Sequence, residues 1–273
     1  MKANRTFYKM SGSGNDFVFF DLRDGTVDWL EKAAAIRALC ARGTGVGADG
    51  VVFLESRTDA SFSMKYYNSD GSLGELCGNA ALCAVRLAHE TRLANAEQVS
   101  IETDAGVLHA RMADGLPEID LAPVTEVVPE LLQIKRIDRE ERLGFARAGV
   151  PHVTILDADA AAADVMGRGS SIRRDRSLED GANVNFVSPK GNEWLIRTYE
   201  RGVEGETLAC GTGAVASAIL LIEWGKAQSP VSLRTKSGRV LQVRVSHDAK
   251  GWHASLRGSA EIVFEGQLRG LDA

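Results

Sequence analysis

The chain contains no Cys-x-x-Cys pair. Its four cysteines, Cys40, Cys77, Cys83 and Cys210, stand apart among 273 residues, which argues against a zinc site and against a dithiol redox motif. They are also too few for a disulfide framework in a chain of this length, so reduced thiols are expected. An excess of basic residues is missing: 32 Lys and Arg against 37 Asp and Glu give a net charge of −5, and no nucleic-acid partner is expected. A long apolar run is missing too. The longest, Ala214 to Ile222 with Ser217 inside it, is about half of the ~20 residues that span a bilayer, so no membrane partner is expected. The start, MKANRTFYKMS, has no apolar h-region. No signal peptide is expected there, and the protein is assigned to the cytoplasm. What is present, 44% hydrophobic and 25% charged residues, describes a globular chain long enough for one large domain or two ordinary ones.

Much of that chain reads as strand. DFVFFDL (16–22), GVVFLES (50–56) and FSMKYYN (62–68) are rich in β-branched and aromatic residues and are bounded by Gly, Asp or Asn. Residues 99–112 alternate, turn at Asp104-Ala105-Gly106 and alternate again, as a hairpin does. Residues 230–256 repeat this twice, with turns at Ser237-Gly238 and Asp248 to Gly251. Four segments read as helix: Asp28 to Ala41, Gly78 to His89, Asp157 to Met166 and Gly211 to Trp224. The second and fourth are apolar nearly all round, and such a helix must be covered on every side. The expectation is an α+β protein of two pseudo-symmetric domains, each a barrel-like sheet wrapped around a central apolar helix.

Internal similarity supports two halves. ELCGNAALCAV (75–85) aligns with LACGTGAVASA (208–218), and GNDFVFF (14–20) weakly echoes ANVNFVS (182–188). The spacing between the paired motifs then differs, 62 residues against 27, as in an old duplication with drift. The halves are placed at 1–119, carrying Cys77, and 120–263, carrying Cys210, with the tail 264–273 packing back on the first.

Cys77 and Cys210 each stand immediately before a helix that opens with Gly. The unpaired N–H groups of Gly78-Asn79 and Gly211-Thr212 attract anions and lower the pKa of a nearby thiol. A cysteine at an apolar helix start is commonly a small core residue; the repetition of Cys-Gly in both halves is what argues for chemistry. Cys40 and Cys83 lack that context and read as core. One thiol suggests a nucleophile, which ordinarily has a basic partner, and of the five histidines only His152 lies in a loop-like Gly-Val-Pro context. Two equivalent thiols suggest an acid and a base acting on opposite faces of one carbon, which is racemisation. GVGADG (45–50) matches a dinucleotide-loop pattern formally, but a helix precedes it and a strand follows, the reverse of the required order; it reads as a tight turn. GRGSSIRRDR (167–176), four arginines followed by acids, reads as a solvated loop.

SGSGNDFV, GTGVGAD, NSDGS, ELCGNAA, PH, NVNFV and YERGVEGETLACGTGA occur here in the order found in diaminopimelate epimerases, and the chain resembles that family over nearly its whole length. The resemblance implies the fold of proline racemase and a chemistry without pyridoxal phosphate, other cofactor or metal. It implies Cys77 and Cys210 as the catalytic thiol pair, with His152 and Glu200 as catalytic residues that support it. Gly78, Asn79, Gly211 and Thr212 match positions that bind the substrate α-carboxylate through backbone N–H groups. Asn15, Asn68, Asn183, Glu200 and Arg201 match positions that hold the substrate's amino and carboxylate groups. An amino-acid substrate and a homodimer follow from the same resemblance. Two departures touch the pocket: Gly50 stands where the family commonly has Gln, and Val150 where it commonly has Asn. A racemase of the same architecture acting on another amino acid, a non-catalytic amino-acid-binding protein and a thiol redox protein are the alternative readings.

Overall fold

The computed structural model describes residues 5–23, 25, 28–58, 61–74, 76–95 and 97–269. The chain divides into two units: the described residues up to Ile119 together with those from Gly258 onward, and Asp120–Arg257.

In chain order the first unit contains β1 (Arg5–Gly12), β2 (Asn15–Asp21), α1 (Ala33–Cys40), β3 (Gly50–Ser56), β4 (Phe62–Asn68), β5 (Leu73–Gly74), α2 (Gly78–Glu90), β6 (Val99–Thr103) and β7 (Gly106–Ala113), with β8 (Leu116–Asp120) at its boundary. The second contains β9 (Val127–Val128), β10 (Glu140–Ala148), β11 (Val150–Asp157), α3 (Val165–Arg173), β12 (Asn183–Lys190), β13 (Glu193–Glu200), β14 (Gly205–Thr207), α4 (Gly211–Glu223), β15 (Val231–Arg234), β16 (Val240–Asp248) and β17 (Gly251–Gly258). β18 (Ala260–Leu268) returns to the first unit. It pairs antiparallel with β1 from Gly12↔Ala260 to Arg5↔Leu268. A strand paired along its length cannot be divided, so the boundary lies at Gly258 rather than at 264 as expected from the sequence. Of the expected tail, residues 270–273 lie outside the described ones.

Both units follow one connection scheme. In the first, β1–β2 is an antiparallel hairpin, β2–β3 is parallel across α1, β3–β4 is antiparallel, and β4 then takes β5 antiparallel and, beyond α2, β6 parallel. In the second, β10–β11, β11–β12, β12–β13, β13–β14 and β13–β15 repeat those relations in the same order, with α3 and α4 at the places of α1 and α2. The register makes Phe17, opposite Gly50, the counterpart of His152, opposite Asn183. It makes Val52, opposite Tyr66, the counterpart of Asn185, opposite Thr198. This corrects the echo between GNDFVFF and ANVNFVS, because those segments are β2 and β12, and the counterpart of β2 is β11. Measured on the corrected pairing, Asn15 to Cys77 is 62 residues and Val150 to Cys210 is 60. The duplication has kept its spacing.

The two central helices explain why the strands surround them. All nine residues from Gly213 to Leu221 in α4 are buried. In α2 Asn79 to Val85, Leu87 and Ala88 are buried, and Arg86 lies between them with its Nε donating to the Ala260 carbonyl at 3.2 Å. At ~25 cal/mol per Å² of apolar area, neither helix is stable with any face in water. α2 packs on β1, β2, β4, β7 and β18; α4 packs on β10, β11, β12 and β16. On the outer side α1 covers a cluster that includes Val18, Phe20, Ile36, Leu39, Val51 and Phe53, in which the Phe20 and Phe53 rings stack at 5.4 Å.

One helix falls elsewhere than the composition predicts. The alanine-rich stretch 157–166 forms only a short 3₁₀ turn at Ala160–Ala162. Arg197 Nη1 donates to the carbonyls of Ala160, Ala161 and Ala163 at 2.9–3.2 Å, and Arg139 Nη1 donates to that of Ala162 at 3.0 Å. These carbonyls would have accepted the next helical turn. Asp164 then caps a new start, accepting the Gly167 N–H at 2.8 Å. So α3 runs through most of the arginine-rich stretch expected as a solvated loop, and Arg168 and Arg173 pair with Glu140 and Glu204.

Candidate active site

Each unit presents a cysteine at a helix N-cap. Cys77 (φ −122°, ψ 115°) precedes α2 and Cys210 (φ −135°, ψ 110°) precedes α4, both in extended backbone. The first intrahelical bonds are Ala81 N–H to Cys77 C=O at 2.9 Å and Ala214 N–H to Cys210 C=O at 3.0 Å. The amides of Gly78, Asn79 and Ala80, and of Gly211, Thr212 and Gly213, therefore precede the helical ladder. They form a partial positive charge of about half a unit beside each sulfur. Cys77 is half-buried and Cys210 is 9% exposed.

In the first unit, Asn79 is 3% exposed. Its Nδ2 donates to Asn15 Oδ1 at 2.7 Å, and Asn15 Nδ2 donates to Asp49 Oδ2 at 3.0 Å. The Asp16 N–H reaches the same oxygen at 3.2 Å, and Arg42 holds the other at 2.8 Å. Asp49 is thus the residue that orients Asn15. The buried Oδ1 of Asn79 accepts no hydrogen bond among the described residues. Asn68 is used in a turn: its N–H donates to Ser72 C=O at 2.9 Å and its Nδ2 to Ser72 Oγ at 3.1 Å. Gly50 lies opposite Asn68. A Cβ at position 50 would lie 2.5 Å from Tyr66 Cε2 and 2.6 Å from the Tyr67 carbonyl oxygen. The Tyr66 ring occupies the space a side chain at 50 would need, so only glycine fits there.

The second unit gathers His152, Thr212 and Cys210. His152 Nε2 is 3.0 Å from Thr212 Oγ1, and that hydroxyl is 3.6 Å from Cys210 Sγ. Behind the imidazole, Asn185 Nδ2 is 3.3 Å from His152 Nδ1. Asn183 Oδ1 accepts the backbone N–H of Arg201 at 2.7 Å, and the Arg201 guanidinium donates to the Asp180 carbonyl at 2.9 Å. Glu200, half-buried, ends β13 one residue before it. His152, Asn183, Arg201, Thr212 and Cys210 are thereby connected or adjacent in one unit, as Asn15, Asn79 and Cys77 are in the other. Val150 begins β11, opposite Ala148.

Asn185, Asp49 and Tyr66 are not among the residues expected from the sequence. For Asn185 a signal existed: it stands two positions after Asn183 on a strand, and so shares its face.

His152 is fully buried, and burial, with the charge of Arg201 second, pushes its pKa down to about 3. The imidazole is neutral in the folded protein. The unfolded chain binds a proton below about 6.5 and the folded one does not until about 3, so this group makes stability fall as pH falls through that window. The expected slope is about 1.4 kcal/mol per pH unit. Denaturation at pH 7, 6, 5 and 4 for the protein and for His152→Gln checks it; equal slopes in the two would contradict a neutral buried imidazole.

Known proteins resemble this chain in sequence and in fold. The model of the diaminopimelate epimerase family matches residues 7–122 and 144–263. A diaminopimelate epimerase of Gemmatimonas aurantiaca is 44% identical over 97% of this chain and 100% of its own. One of Aquifex aeolicus is 39% identical over 96% and 97%. Among solved structures, a PhzF-family phenazine biosynthesis protein of Bacillus anthracis superposes with TM-score 0.76 at 14% identity, over 97% of this chain and 99% of that one. A probable proline racemase of Agrobacterium radiobacter superposes at 0.67 and 18% identity, over 98% and 93%. These two share the fold. With the family model covering both units and relatives matching along their full length, the chain belongs to the diaminopimelate epimerase family.

Proposed function

We propose that this protein interconverts LL- and meso-2,6-diaminopimelate, a step toward lysine and cell-wall precursors, by a two-cysteine acid/base mechanism without cofactor or metal. The observation that carries this reading is the repeated N-cap cysteine. One thiolate removes the proton from the substrate α-carbon and becomes a thiol; the other thiol delivers a proton to the opposite face and becomes a thiolate. Bonds and charge balance, and no electrons are transferred. An α-carbon proton is too weakly acidic for a thiolate unless the carbanion is stabilised. The amides of Gly78-Asn79 and Gly211-Thr212 supply that through the α-carboxylate, whose charge rises in the transition state. The buried Oδ1 of Asn79, lacking a donor, suits an N–H of the substrate. His152 and Glu200 support the pair, and Asn15, Asn68, Asn183 and Arg201 contribute to substrate binding.

LL-diaminopimelate incubated with the protein in D₂O should gain deuterium at one α-carbon as the meso isomer appears, followed by NMR. Absence of exchange with any amino acid would favour a binding protein instead. A second reading, a racemase for another amino acid, is motivated by Tyr66 over Gly50 and by Val150. It requires that lysine, ornithine, histidine, glutamate or proline exceed diaminopimelate in kcat/KM; we expect none to do so.

The protein is further proposed to act in the cytoplasm as a homodimer. No helix among the described residues is long and apolar enough to cross a membrane, and Ile262, Val263 and Phe264 on β18 are 37%, 57% and 47% exposed. Light scattering should give twice the chain mass; a monomer at micromolar concentration would refute the dimer.

A further inference from the structure

We propose that Asn185 is a positioning residue that fixes His152 in its Nε2–H tautomer, and that this aims the Thr212 hydroxyl proton at Cys210. This deepens the reading above, since it concerns one thiol of the same pair. The hydrogen bonds around Asn185 admit one orientation. Its Nδ2 lies 3.2 Å from the Val153 carbonyl oxygen, which accepts only, so the amide nitrogen and not the oxygen faces that side. Its Oδ1 receives the Thr198 hydroxyl at 2.9 Å. The amide has two hydrogens: one serves Val153, and the other points at His152 Nδ1, 3.3 Å away. An amide N–H donates only, so Nδ1 is the accepting nitrogen. A neutral imidazole then carries its proton on Nε2, where Thr212 Oγ1 stands at 3.0 Å. With that oxygen accepting from His152, the Thr212 O–H remains to donate to Cys210 Sγ, 3.6 Å away. A donor aimed at sulfur favours the thiolate.

Burial keeps the chain of bonds in place. His152 and Asn185 are 0% exposed and Thr198 is 3% exposed, so no water competes for Nδ1. The glycine at 213 is part of the same construction. A Cβ there would lie 2.5 Å from Asn185 Oδ1 and 3.2 Å from Cys210 Sγ, and any side chain would push the amide off the imidazole. The charged group acting on His152 is Arg201, which disfavours a second ring proton. It therefore preserves the neutral ring that the arrangement requires.

The Thr198–Asn185–His152 series is not repeated at the matching register positions among the described residues of the first unit. At the places of His152, Asn185 and Thr198 the first unit has Phe17, Val52 and Tyr66, and the rings of Phe17 and Tyr66 pack edge-on at 6.1 Å. At these register positions the first unit is aromatic and aliphatic where the second is polar.

Two measurements test the proposal, and neither uses turnover, so they stand or fall apart from the epimerase reading. In protein labelled with ¹⁵N-histidine, the His152 ring, assigned by its loss in His152→Gln, should show a protonated Nε2 and a bare Nδ1 at pH 7. A protonated Nδ1 would overturn the proposal. Alkylation of Cys210 by iodoacetamide, read by mass spectrometry across pH 6–9, should slow about tenfold at pH 7 in Thr212→Val, equivalent to one pKa unit, and recover in Thr212→Ser. Asn185→Leu, if folded, should behave as Thr212→Val does. The Cys77 rate should hold in all three. Unchanged Cys210 alkylation in Thr212→Val, or failure of Thr212→Ser to restore it, would overturn the relay.

Discussion

Cys77→Ala and Cys210→Ala are each expected to lower turnover of LL-diaminopimelate by about a thousandfold or more, the effect of deleting a general acid or base that water replaces poorly. The variants should nevertheless differ from an inert protein. Each keeps one thiol, and one thiolate suffices to remove a proton from the isomer whose hydrogen faces it and to return a deuteron to the same face. The two variants should therefore exchange solvent deuterium into opposite α-configurations without inverting either. Turnover near that of the parent in either variant would disprove the two-base mechanism, and loss of exchange into both configurations would show that the thiols act otherwise. Cys40→Ala and Cys83→Ala are the controls. Burial pushes the Cys40 thiol up to about 11 and the Cys83 thiol well above its ordinary value, so both remain protonated at neutral pH. Their removal should cost about 1–2 kcal/mol of stability and leave turnover intact.

The largest effect on stability is expected at Glu140, far from either cysteine in role. Its side chain is 1% exposed. Arg168 grips it in two places, Nε to Oε1 at 2.7 Å and Nη2 to Oε2 at 2.8 Å, and the Ile137 N–H donates to it at 2.9 Å. The pair ties α3 to the start of β10. Glu140→Ala leaves the Arg168 charge, 17% exposed, without a counter-ion and the Ile137 amide without an acceptor. A broken buried pair of this kind costs about 3–5 kcal/mol, a fall in Tm of roughly 10 °C for a chain of this size. Removing both charges is a different experiment. Glu140→Leu combined with Arg168→Met leaves no uncompensated charge and should regain most of the loss. Calorimetry of the single and double variants decides it. A single variant within about 1 kcal/mol of the parent, or a double variant as unstable as the single, would show that the pair is screened rather than buried.

The linear sequence determined the features that rest on local pattern. The two apolar helices at Gly78 and Gly211, the hairpins within 99–112 and 230–256 and the matching places of Cys77 and Cys210 before those helices are legible because period, turn residues and a repeated Cys-Gly need no knowledge of distant neighbours. The motifs that mark the family are legible for the same reason. Tertiary structure decided whatever depends on a partner remote in the chain. Ala160–Ala163 has helical propensity, yet Arg139 and Arg197 take its carbonyls, and the helix begins at Val165 instead. GNDFVFF and ANVNFVS look alike as short apolar strands, but strand register, which is a property of pairing, matches β2 with β11. Gly50 looked like a lost polar contact until the Tyr66 ring was found in its space. Asn185 is one asparagine among several until Val153 and Thr198 fix its amide and the amide fixes a histidine. A hydrogen bond has direction and a sequence does not, so the protonation state of His152 became readable only once the donors and acceptors around it were in place.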